Sequence, residues 1–288
     1  MKKHISHIGK VILAAAGPGD PELVTLKTVR WLQQADVVLA DRLVSEELLA
    51  QHVNPKAEVV YVGKQCSRGS STPQQTINQL IVDFALQGKL VVRLKGGDVS
   101  VFSNVLDELQ VMVANNIPYE IVPGVTAALG AAAYAGIPLT ARGYTTAVRF
   151  LTYYKSDVLT DAYWKELAQT DDTLVFYMSS ETLDGIVTNL LKNNIAADRL
   201  LAVVEQATTA LQHVHVTGLY EYETSWKARQ FISPSLVIIG KVVALHEQFA
   251  WLQNSNSGEH YFKPLAKLIS TVPGSVKTAK VKKHVSRA

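Results

Sequence analysis

The chain has 288 residues, of which 48% are hydrophobic, a formal net charge of +3 and a single cysteine, Cys66. Its length and composition predict one or two globular domains, and one cysteine excludes an intramolecular disulfide and a multi-cysteine metal site, so we expect Cys66 to be inert. No apolar run approaches the roughly 20 residues of a membrane span, so we expect a cytoplasmic protein that has no membrane partner.

Strand and helix patterns alternate along the first half of the chain, which is typical of a parallel α/β sheet. The opening Met1-Lys2-Lys3 and the apolar run that follows are similar to a secretory leader. That run is short and enters a tight turn, so we expect a first strand and no cleaved leader. The predicted strands are Val11–Ala15, Val37–Ala40, Val59–Tyr61, Leu90–Leu94 and Tyr119–Ile121. The predicted helices are Leu23–Gln34, Glu46–Gln51, Pro73–Leu86, Ser103–Asn115 and Val125–Ala135.

The pattern changes after Gly143, where we predict a mixed α/β domain with neighbouring antiparallel strands. Its predicted strands are Val148–Tyr153, Thr173–Met178, Leu200–Glu205, Gln212–Val216 and Ser235–Val243. Its predicted helices are Leu159–Ala168, Thr182–Asn193 and Thr224–Lys227. The expected fold class is therefore α/β, with one domain over residues 1–144 and a second over 145–252.

Residues 253–288 are expected to form a basic, flexible tail. The segment Asn254–Gly258 has the composition of a linker, and seven Lys or Arg residues but no acidic residue lie from His260 onward. Without these seven, the chain has 21 basic and 25 acidic residues, a net charge of −4. The positive charge belongs to the tail, so we expect no nucleic-acid partner for the body. Contact of the tail with RNA, a membrane or an acidic partner is the alternative.

Three turns that follow predicted strands have the composition of ligand-binding turns. They are Gly17-Pro18-Gly19, Gly96-Gly97-Asp98 and Pro123-Gly124-Val125-Thr126. The carboxyl ends of parallel strands meet at one edge of a sheet, where α/β proteins bind ligands. Glycine allows the backbone to approach a ligand closely. Together the turns predict a small-ligand site at this edge.

A dinucleotide site is one interpretation of the first turn, because Gly17 and Gly19 follow a strand and Asp41 lies about twenty residues later. However, Glu22 stands at the third glycine position of that fingerprint. Prolines at positions 18 and 21 also remove backbone N–H groups that a pyrophosphate needs. The turns better suit a ligand that contacts carbonyl groups, a carboxylate and apolar walls. A sulfonium attached to an adenosine is such a ligand, with Asp98 near its ribose or amino group.

A series of motifs lies in unbroken order between about residues 10 and 250 of the chain. The main ones are Ala16–Pro21, Asp41–Ser45, Tyr61–Lys64, Val92–Asp98, Ile117–Thr126, Tyr134–Gly143 and Val237–Val243. Through these motifs the chain resembles the tetrapyrrole methylase family, and within it most closely the uroporphyrinogen-III C-methyltransferases.

The resemblance implies two α/β domains, each a sheet flanked by helices, with a ligand cleft between them and usually a homodimer. It implies S-adenosyl-L-methionine as the cofactor and no metal. The positions that match its binding residues are Pro18, Gly96, Gly97, Asp98, Val101, Thr126, Ala127, Met178 and Ala207. Asp41 and Lys64 match an acid/base pair, and Arg142 matches an arginine proposed to meet the substrate.

The residues alone leave other roles open for several positions. Asp41 is placed to cap a helix, Lys64 to be a solvated loop residue and Met178 to be part of the core. Arg142 is placed to cap a domain junction. His213 and His215 share one face of a strand, as metal ligands can, but no third ligand has suitable spacing.

The implied reaction is methylation of uroporphyrinogen III to precorrin-2, in sirohaem and cobalamin biosynthesis. Its polyacidic substrate predicts a cationic trough. The candidates to line it are Arg42, Lys64, Arg93, Lys95 and Arg142. The chain departs from the family in the loop 99–107, where Asn104, Val105 and Leu106 replace an arginine and two glycines. The alternatives are therefore a non-catalytic paralogue that binds the donor or a tetrapyrrole, and a methylase of another corrinoid intermediate.

Overall fold

The computed structural model describes residues 8–63, 72–154, 159–227 and 229–263. Strands and helices alternate in its first half, as predicted. The strands are β1 (Lys10–Ala15), β2 (Val37–Ala40), β3 (Glu58–Tyr61), β4 (Leu90–Lys95) and β5 (Tyr119–Val122). The helices are α1 (Leu26–Gln34), α2 (Glu46–His52), α3 (Gln74–Leu86), α4 (Val105–Ala114) and α5 (Ala127–Ala135).

These strands form a parallel sheet in the order β3-β2-β4-β1-β5. Helices α1 and α2 cover one face through residues such as Leu32 and Leu48. Helices α3 and α4 cover the other face through residues such as Ile81 and Met112. Because all strands run in one direction, the turns after β1, β4 and β5 lie at the same edge of the sheet. The predicted parallel sheet is confirmed.

The helix predicted at Leu23–Gln34 begins later in the structure. Residues Pro21–Leu23 form a separate 3-10 helix, and Val24 is extended. Thr25 is the N-cap of α1, where its hydroxyl accepts a hydrogen bond from the backbone N–H of Thr28 at 3.2 Å. The capping threonine therefore sets the start of the α-helix.

The second half forms a mixed sheet, also as predicted. Its strands are β6 (Val148–Thr152), β7 (Thr173–Tyr177), β8 (Leu200–Glu205), β9 (His213–Gly218) and β10 (Ser235–Gly240). Its helices are α6 (Asp161–Gln169), α7 (Leu183–Lys192), α8 (Tyr222–Ser225) and α9 (His246–Phe249). The strand order is β6-β7-β10-β8-β9, and only β6 and β7 pair in parallel. No helix within the described ranges is long and apolar enough to span a membrane.

The strand predicted at Ser235–Val243 ends at Gly240, so this prediction was wrong for its last three residues. Lys241–Leu245 forms a 3-10 helix instead, in which Val242 and Val243 are fully buried. A short apolar run indicates burial but does not distinguish a strand from a buried helical turn.

Helix α5 connects the two sheets. It follows β5 of the first sheet, yet Ala128, Ala131 and Ala135 pack in one apolar cluster with residues of β7, β8 and β10. Its small side chains allow this close approach. The predicted boundary after residue 144 thus assigns to the first domain a helix whose buried face belongs to the core of the second sheet.

The segment that we expected to be a linker is attached to the body over the residues described. Asn254 hydrogen bonds to both the N–H and the C=O of Val214, at 2.7 and 3.0 Å. Further on, Phe262 is buried and the hydroxyl of Tyr261 lies 2.9 Å from Ser45 Oγ. Although the composition of Asn254–Gly258 is that of a linker, the side chain of Asn254 binds backbone groups at a sheet edge. Residues 264–288, which carry most of the basic charge of the tail, lie outside the described part.

Candidate functional site

The three predicted turns meet at the carboxyl edge of the first sheet. Gly17 and Gly97 exchange two backbone hydrogen bonds, of 3.1 and 2.7 Å. The carboxylate of Asp98 accepts a hydrogen bond from the backbone N–H of Gly124 at 2.8 Å. These contacts confirm that the turns after β1, β4 and β5 form one continuous surface.

The two glycines of the second turn have different roles. Gly96 packs closely against the next loop, because a Cβ there would lie 2.9 Å from Leu43. Gly97 has a left-handed φ of 69°, and a Cβ there would meet only the backbone nitrogen of Ala127, at 3.7 Å. Gly97 therefore leaves open space beside the amino end of α5, where a ligand can approach the backbone.

Asp98 is buried and holds the turns together. One carboxylate oxygen accepts hydrogen bonds from the N–H and the hydroxyl of Ser100, at 2.8 and 2.5 Å. Burial raises the pKa of Asp98, but the hydrogen bonds from Ser100 and Gly124 outweigh it and hold the pKa below its usual value. Asp98 is therefore a fixed anion at the predicted ligand site.

Tyr177 joins the second sheet to the start of α5, and the sequence analysis missed it. Its hydroxyl lies 2.8 Å from Thr126 Oγ1 and accepts a hydrogen bond from the N–H of Ala128 at 3.1 Å. It thus satisfies an N–H in the first turn of the helix, for which Thr126 makes no side-chain cap. The only signal was its position at the end of a predicted strand, next to Met178.

Met178 lies on the surface of this site and not in the core, so the core interpretation is wrong. It is 48% exposed, has a left-handed φ of 53°, and its sulfur accepts a hydrogen bond from the hydroxyl of Tyr154 at 3.3 Å. Phe102, also left-handed with a φ of 51°, places its ring 4.9 Å from that of Tyr177. Left-handed backbone at side-chain-bearing residues is costly, and it clusters at functional sites.

Pro18 and Ala207 lie where the first turn meets the turn after β8. A Cβ on Gly130 of α5 would lie 2.6 Å from Pro18, and one on Gly19 would lie 2.9 Å from the carbonyl oxygen of Ala207. The N–H of Asp20 donates to Thr208 Oγ1 at 3.1 Å. Contact between the two halves of the chain here depends on the absence of side chains at two glycines.

Val101 and Ala127 complete the set of expected cofactor positions. Both are partly buried and pack against the apolar cluster of α5 and the second sheet. The binding role of the nine expected positions stays a prediction.

Asp41 lies in the loop after β2, near the second turn. Its Oδ1 accepts a hydrogen bond from the N–H of Arg42 at 2.8 Å, and its Oδ2 is 3.6 Å from the guanidinium of Arg93. The helix-cap interpretation is wrong, because Ser45 is the N-cap of α2. Lys64, its expected partner, lies outside the described residues.

Arg93 and Lys95 do not line an open trough, contrary to our expectation. Both are buried, and each binds one carboxylate oxygen of the fully buried Glu108 at 2.9 Å. Burial, together with the charge of Arg93, lowers the pKa of Lys95. Cations inside a buried strand, such as Arg93 and Lys95, require a nearby anion. This requirement is the sequence signal that could have predicted a role for Glu108.

Arg142 lies between α5 and β6. It is exposed, in a turn closed by the bridge between Ala141 and Thr145. Among the described residues, no hydrogen bond or ion pair connects it to the other expected site residues. Its expected contact with substrate stays a prediction.

The two strand histidines are part of a polar cluster on β8 and β9. The rings of His213 and His215 stack at 4.1 Å, and His215 Nε2 lies 3.2 Å from a carboxylate oxygen of Glu205. Over the part of the chain that the structure covers, no three His, Cys, Asp or Glu side chains are grouped as metal ligands would be.

A surface hollow of about 470 Å³ lies elsewhere. Asp36, Lys56 and Lys89 line it at the amino ends of the strands. That is the edge opposite the three turns, where parallel sheets rarely place ligands. This hollow is therefore separate from the surface that the three turns form.

The site's residues fit S-adenosylmethionine better than a phosphate ligand. The open backbone at Gly97 and the exposed side chain of Met178 provide a cradle and an apolar wall. The buried anion at Asp98 suits hydroxyl and amino donors and would repel a phosphate. The residues that would hold the molecule are therefore Gly97, Asp98, Ala127 and Met178.

Comparison with known proteins gives a family match. Residues 10–223 match the family model of the tetrapyrrole (corrin/porphyrin) methylases. A siroheme synthase of Vesicomyosocius okutanii is 42% identical over 246 residues, which cover 85% of this chain and 52% of that protein. The chain thus spans about half the length of the curated relatives it matches.

Solved structures agree. The uroporphyrin-III C-methyltransferase of Thermus thermophilus superposes with a TM-score of 0.70 at 33% identity, covering 85% of this chain and 98% of that one. A structure of that enzyme type complexed with S-adenosyl homocysteine, also from Thermus thermophilus, gives 0.66 at 35% identity, covering 82% and 93%. The likeness confirms the expected α/β fold of two sheets flanked by helices.

Proposed function

Because this chain belongs to the tetrapyrrole (corrin/porphyrin) methylase family, we propose that it transfers methyl groups from S-adenosylmethionine to uroporphyrinogen III, with precorrin-2 as the product. The observation that carries the proposal is the joined surface of the three turns, with open space at Gly97 beside a buried anion at Asp98. The similar enzyme that is complexed with S-adenosyl homocysteine supports this choice of cofactor.

The first task of the chain is to hold the donor in position. When bound, S-adenosylmethionine supplies an electrophilic methyl group. The residues that would hold it are Gly97 and Ala127 through their backbone, Asp98 as an acceptor for hydroxyl or amino groups, and Met178 as an apolar contact. Methyl transfer is an in-line displacement, so orientation and exclusion of water give most of the rate.

The second task is to remove the proton that the methylated ring carbon loses. In this proposal Asp41 accepts it at Oδ2, since Oδ1 is already bound to the N–H of Arg42. The guanidinium of Arg93 lies 3.6 Å from Oδ2. Lys64 is the proposed partner in the pair, and Arg142, which is exposed, binds a substrate carboxylate.

A second candidate function is donor binding without turnover. The observation that favours it is the loop that leads into α4, in which Phe102 and Asn104 are left-handed, together with Leu106 in the first turn of α4, which is 63% exposed. An exposed leucine is poorly suited to a polyacidic substrate. A related tetrapyrrole with fewer acidic groups is the other substrate that this loop would suit.

Incubation of the protein with S-adenosylmethionine and freshly generated uroporphyrinogen III tests the proposal. We expect a product with two added methyl groups, measured by mass spectrometry and absorbance. Donor binding without product favours the second candidate. Restoring the arginine and two glycines, in an Asn104→Arg, Val105→Gly, Leu106→Gly variant, then shows whether the loop causes the loss.

We further propose that the protein works as a cytoplasmic homodimer. The family resemblance supports this assembly. Sedimentation equilibrium of the full chain measures it, and a monomer at micromolar concentration would contradict it.

A further inference from the structure

The chain from Trp251 to Lys263, which we term the strap, runs from the second sheet to the first. Its early part lies along the free edge of β9. The side-chain amide of Asn254 binds both backbone groups of Val214, and the N–H of Ser255 donates to the carbonyl of Gln212 at 2.9 Å. These bonds fix the direction of the strap.

The later part of the strap holds the side chain of Gln206. The amide nitrogen of Gln206 donates to the carbonyl of Glu259 at 3.0 Å, and its amide oxygen accepts from the N–H of Tyr261 at 2.7 Å. Gln206 is 1% exposed and has a left-handed φ of 47°. Such a backbone conformation persists only where the surroundings enforce it. The two strap bonds are part of that enforcement.

The conformation of Gln206 determines the turn that carries Ala207. The carbonyl of Gln206 accepts hydrogen bonds from the N–H and the hydroxyl of Thr209, at 3.2 and 2.8 Å. Thr208, in the same turn, accepts a hydrogen bond at 3.1 Å from the N–H of Asp20, which directly follows the first glycine turn. A change at Gln206 therefore reaches both sides of the proposed donor site.

The strap also reaches the loop of Asp41. The hydroxyl of Tyr261 lies 2.9 Å from Oγ of Ser45, which is the N-cap of α2 and ends that loop. Lys263 forms an ion pair with Glu46 at 2.8 Å. The strap thus connects the donor turn with the loop that carries the proposed proton acceptor.

We propose that Gln206 and Tyr261 are positioning residues for the methyl donor. The strap holds the turn 206–209 in its binding shape before the donor arrives, so that less ordering is needed on binding. The proposal rests on the proposed function, because the donor is the ligand that this turn is expected to meet.

The test compares three variants of the full chain by calorimetric titration with S-adenosylhomocysteine. Gln206→Asn keeps the amide but makes it one methylene too short to reach the strap. Tyr261→Phe removes only the hydroxyl that meets Ser45. Tyr220→Phe is the matched control, since it removes a hydroxyl bonded to the carbonyl of Ile195 at 2.7 Å, away from the strap.

We expect Gln206→Asn to weaken binding about tenfold and Tyr261→Phe about threefold, as the loss of two or one hydrogen bonds implies. The control should bind like the parent protein. In the methylation assay both strap variants should raise the KM for the donor more than they lower kcat.

Two outcomes would overturn the proposal, and they are distinguishable. If the parent binds S-adenosylhomocysteine and both strap variants bind it as tightly as Tyr220→Phe, the strap only stabilises the fold, even if the variants melt at lower temperature. If the parent does not bind it, the proposed function fails and this proposal fails with it. Should Gln206→Asn not fold, the result for Tyr261→Phe decides alone.

Discussion

Gly97 is the residue at which backbone conformation and the proposed ligand contact can be separated. Gly97→Ala forces a side chain into a φ of 69° and into the space beside Ala127. Gly143→Ala is the matched control, with a φ of 83° and, among the residues that the structure describes, no atom within 4 Å of its Cβ. Each should destabilise the fold by about 1 kcal/mol. Only Gly97→Ala should also weaken S-adenosylhomocysteine binding, about tenfold or ~1.4 kcal/mol.

The measurements for this pair are calorimetric titration and urea unfolding. Equal binding by the two variants would contradict the placement of the donor at Gly97.

Glu108 is the only negative charge that contacts both Arg93 and Lys95 among the described residues. Glu108→Gln removes the carboxylate that binds Lys95 and leaves Arg93 only its longer contact of 3.6 Å with Asp41, so we expect a loss of about 3 kcal/mol or more in the free energy of unfolding. Glu166 forms an ion pair with Arg149, and its side chain is 57% exposed. Glu166→Gln should therefore lower the free energy of unfolding by about 1 kcal/mol or less. Urea unfolding measures the loss in each variant. Similar losses would show that Glu108 is not needed to neutralise Arg93 and Lys95.

Glu120 gives the protein a defined acid sensitivity. Hydrogen bonds from Lys10 and Lys27 lower its pKa from 4.5 to about 2. A carboxyl with a lowered pKa stabilises the folded state above its unfolded pKa, and this contribution disappears as the pH falls from about 4.5 toward 2. Glu120→Gln should therefore lose less stability than the parent between pH 5 and pH 3. The urea unfolding midpoints of both proteins at pH 5 and pH 3 measure this. An equal loss of stability in the parent and in Glu120→Gln would contradict it.

At the scale of elements, α5 depends on Gly130 for its contact with the turn after β1 and the turn after β8. A Cβ there would lie 2.6 Å from Pro18 and 2.9 Å from Thr208. Gly130→Ala should therefore lower stability by about 1–3 kcal/mol, as overpacking does, and weaken donor binding. Gly185→Ala in α7 is the matched control, since its Cβ would meet only the ring edge of Tyr153 at 3.2 Å.

In Gly185→Ala, the higher helix propensity of alanine offsets the cost of the close contact with Tyr153. Thermal unfolding compares the two variants, and equal melting temperatures would show that α5 can shift without cost.

The elements themselves were largely predictable from the sequence, because apolar periodicity and capping residues act locally. The errors have physical reasons. The apolar run at Val242 and Val243 is buried by a 3-10 helix, which has no distinct apolar period over so few residues. The polar residues around Asn254 bind the edge of β9, a partner that is distant in sequence.

At the scale of the whole molecule, the sequence predicted that the three turns meet at one sheet edge but not how they join the second sheet. The turns were expected to meet because the common direction of parallel strands places their carboxyl ends at one edge. The packing of α5 on the second sheet and the bond from Tyr177 to Thr126 depend on the tertiary arrangement. Local patterns do not contain that information.

The central claim is that the joined turns of the two halves bind a methyl donor. Isothermal titration of the full chain with S-adenosylhomocysteine measures this most directly. The account predicts saturable binding of about one molecule per chain, reduced in Gly97→Ala and retained in Gly143→Ala. The absence of binding heat across a range of temperatures, with the protein folded throughout, would contradict it.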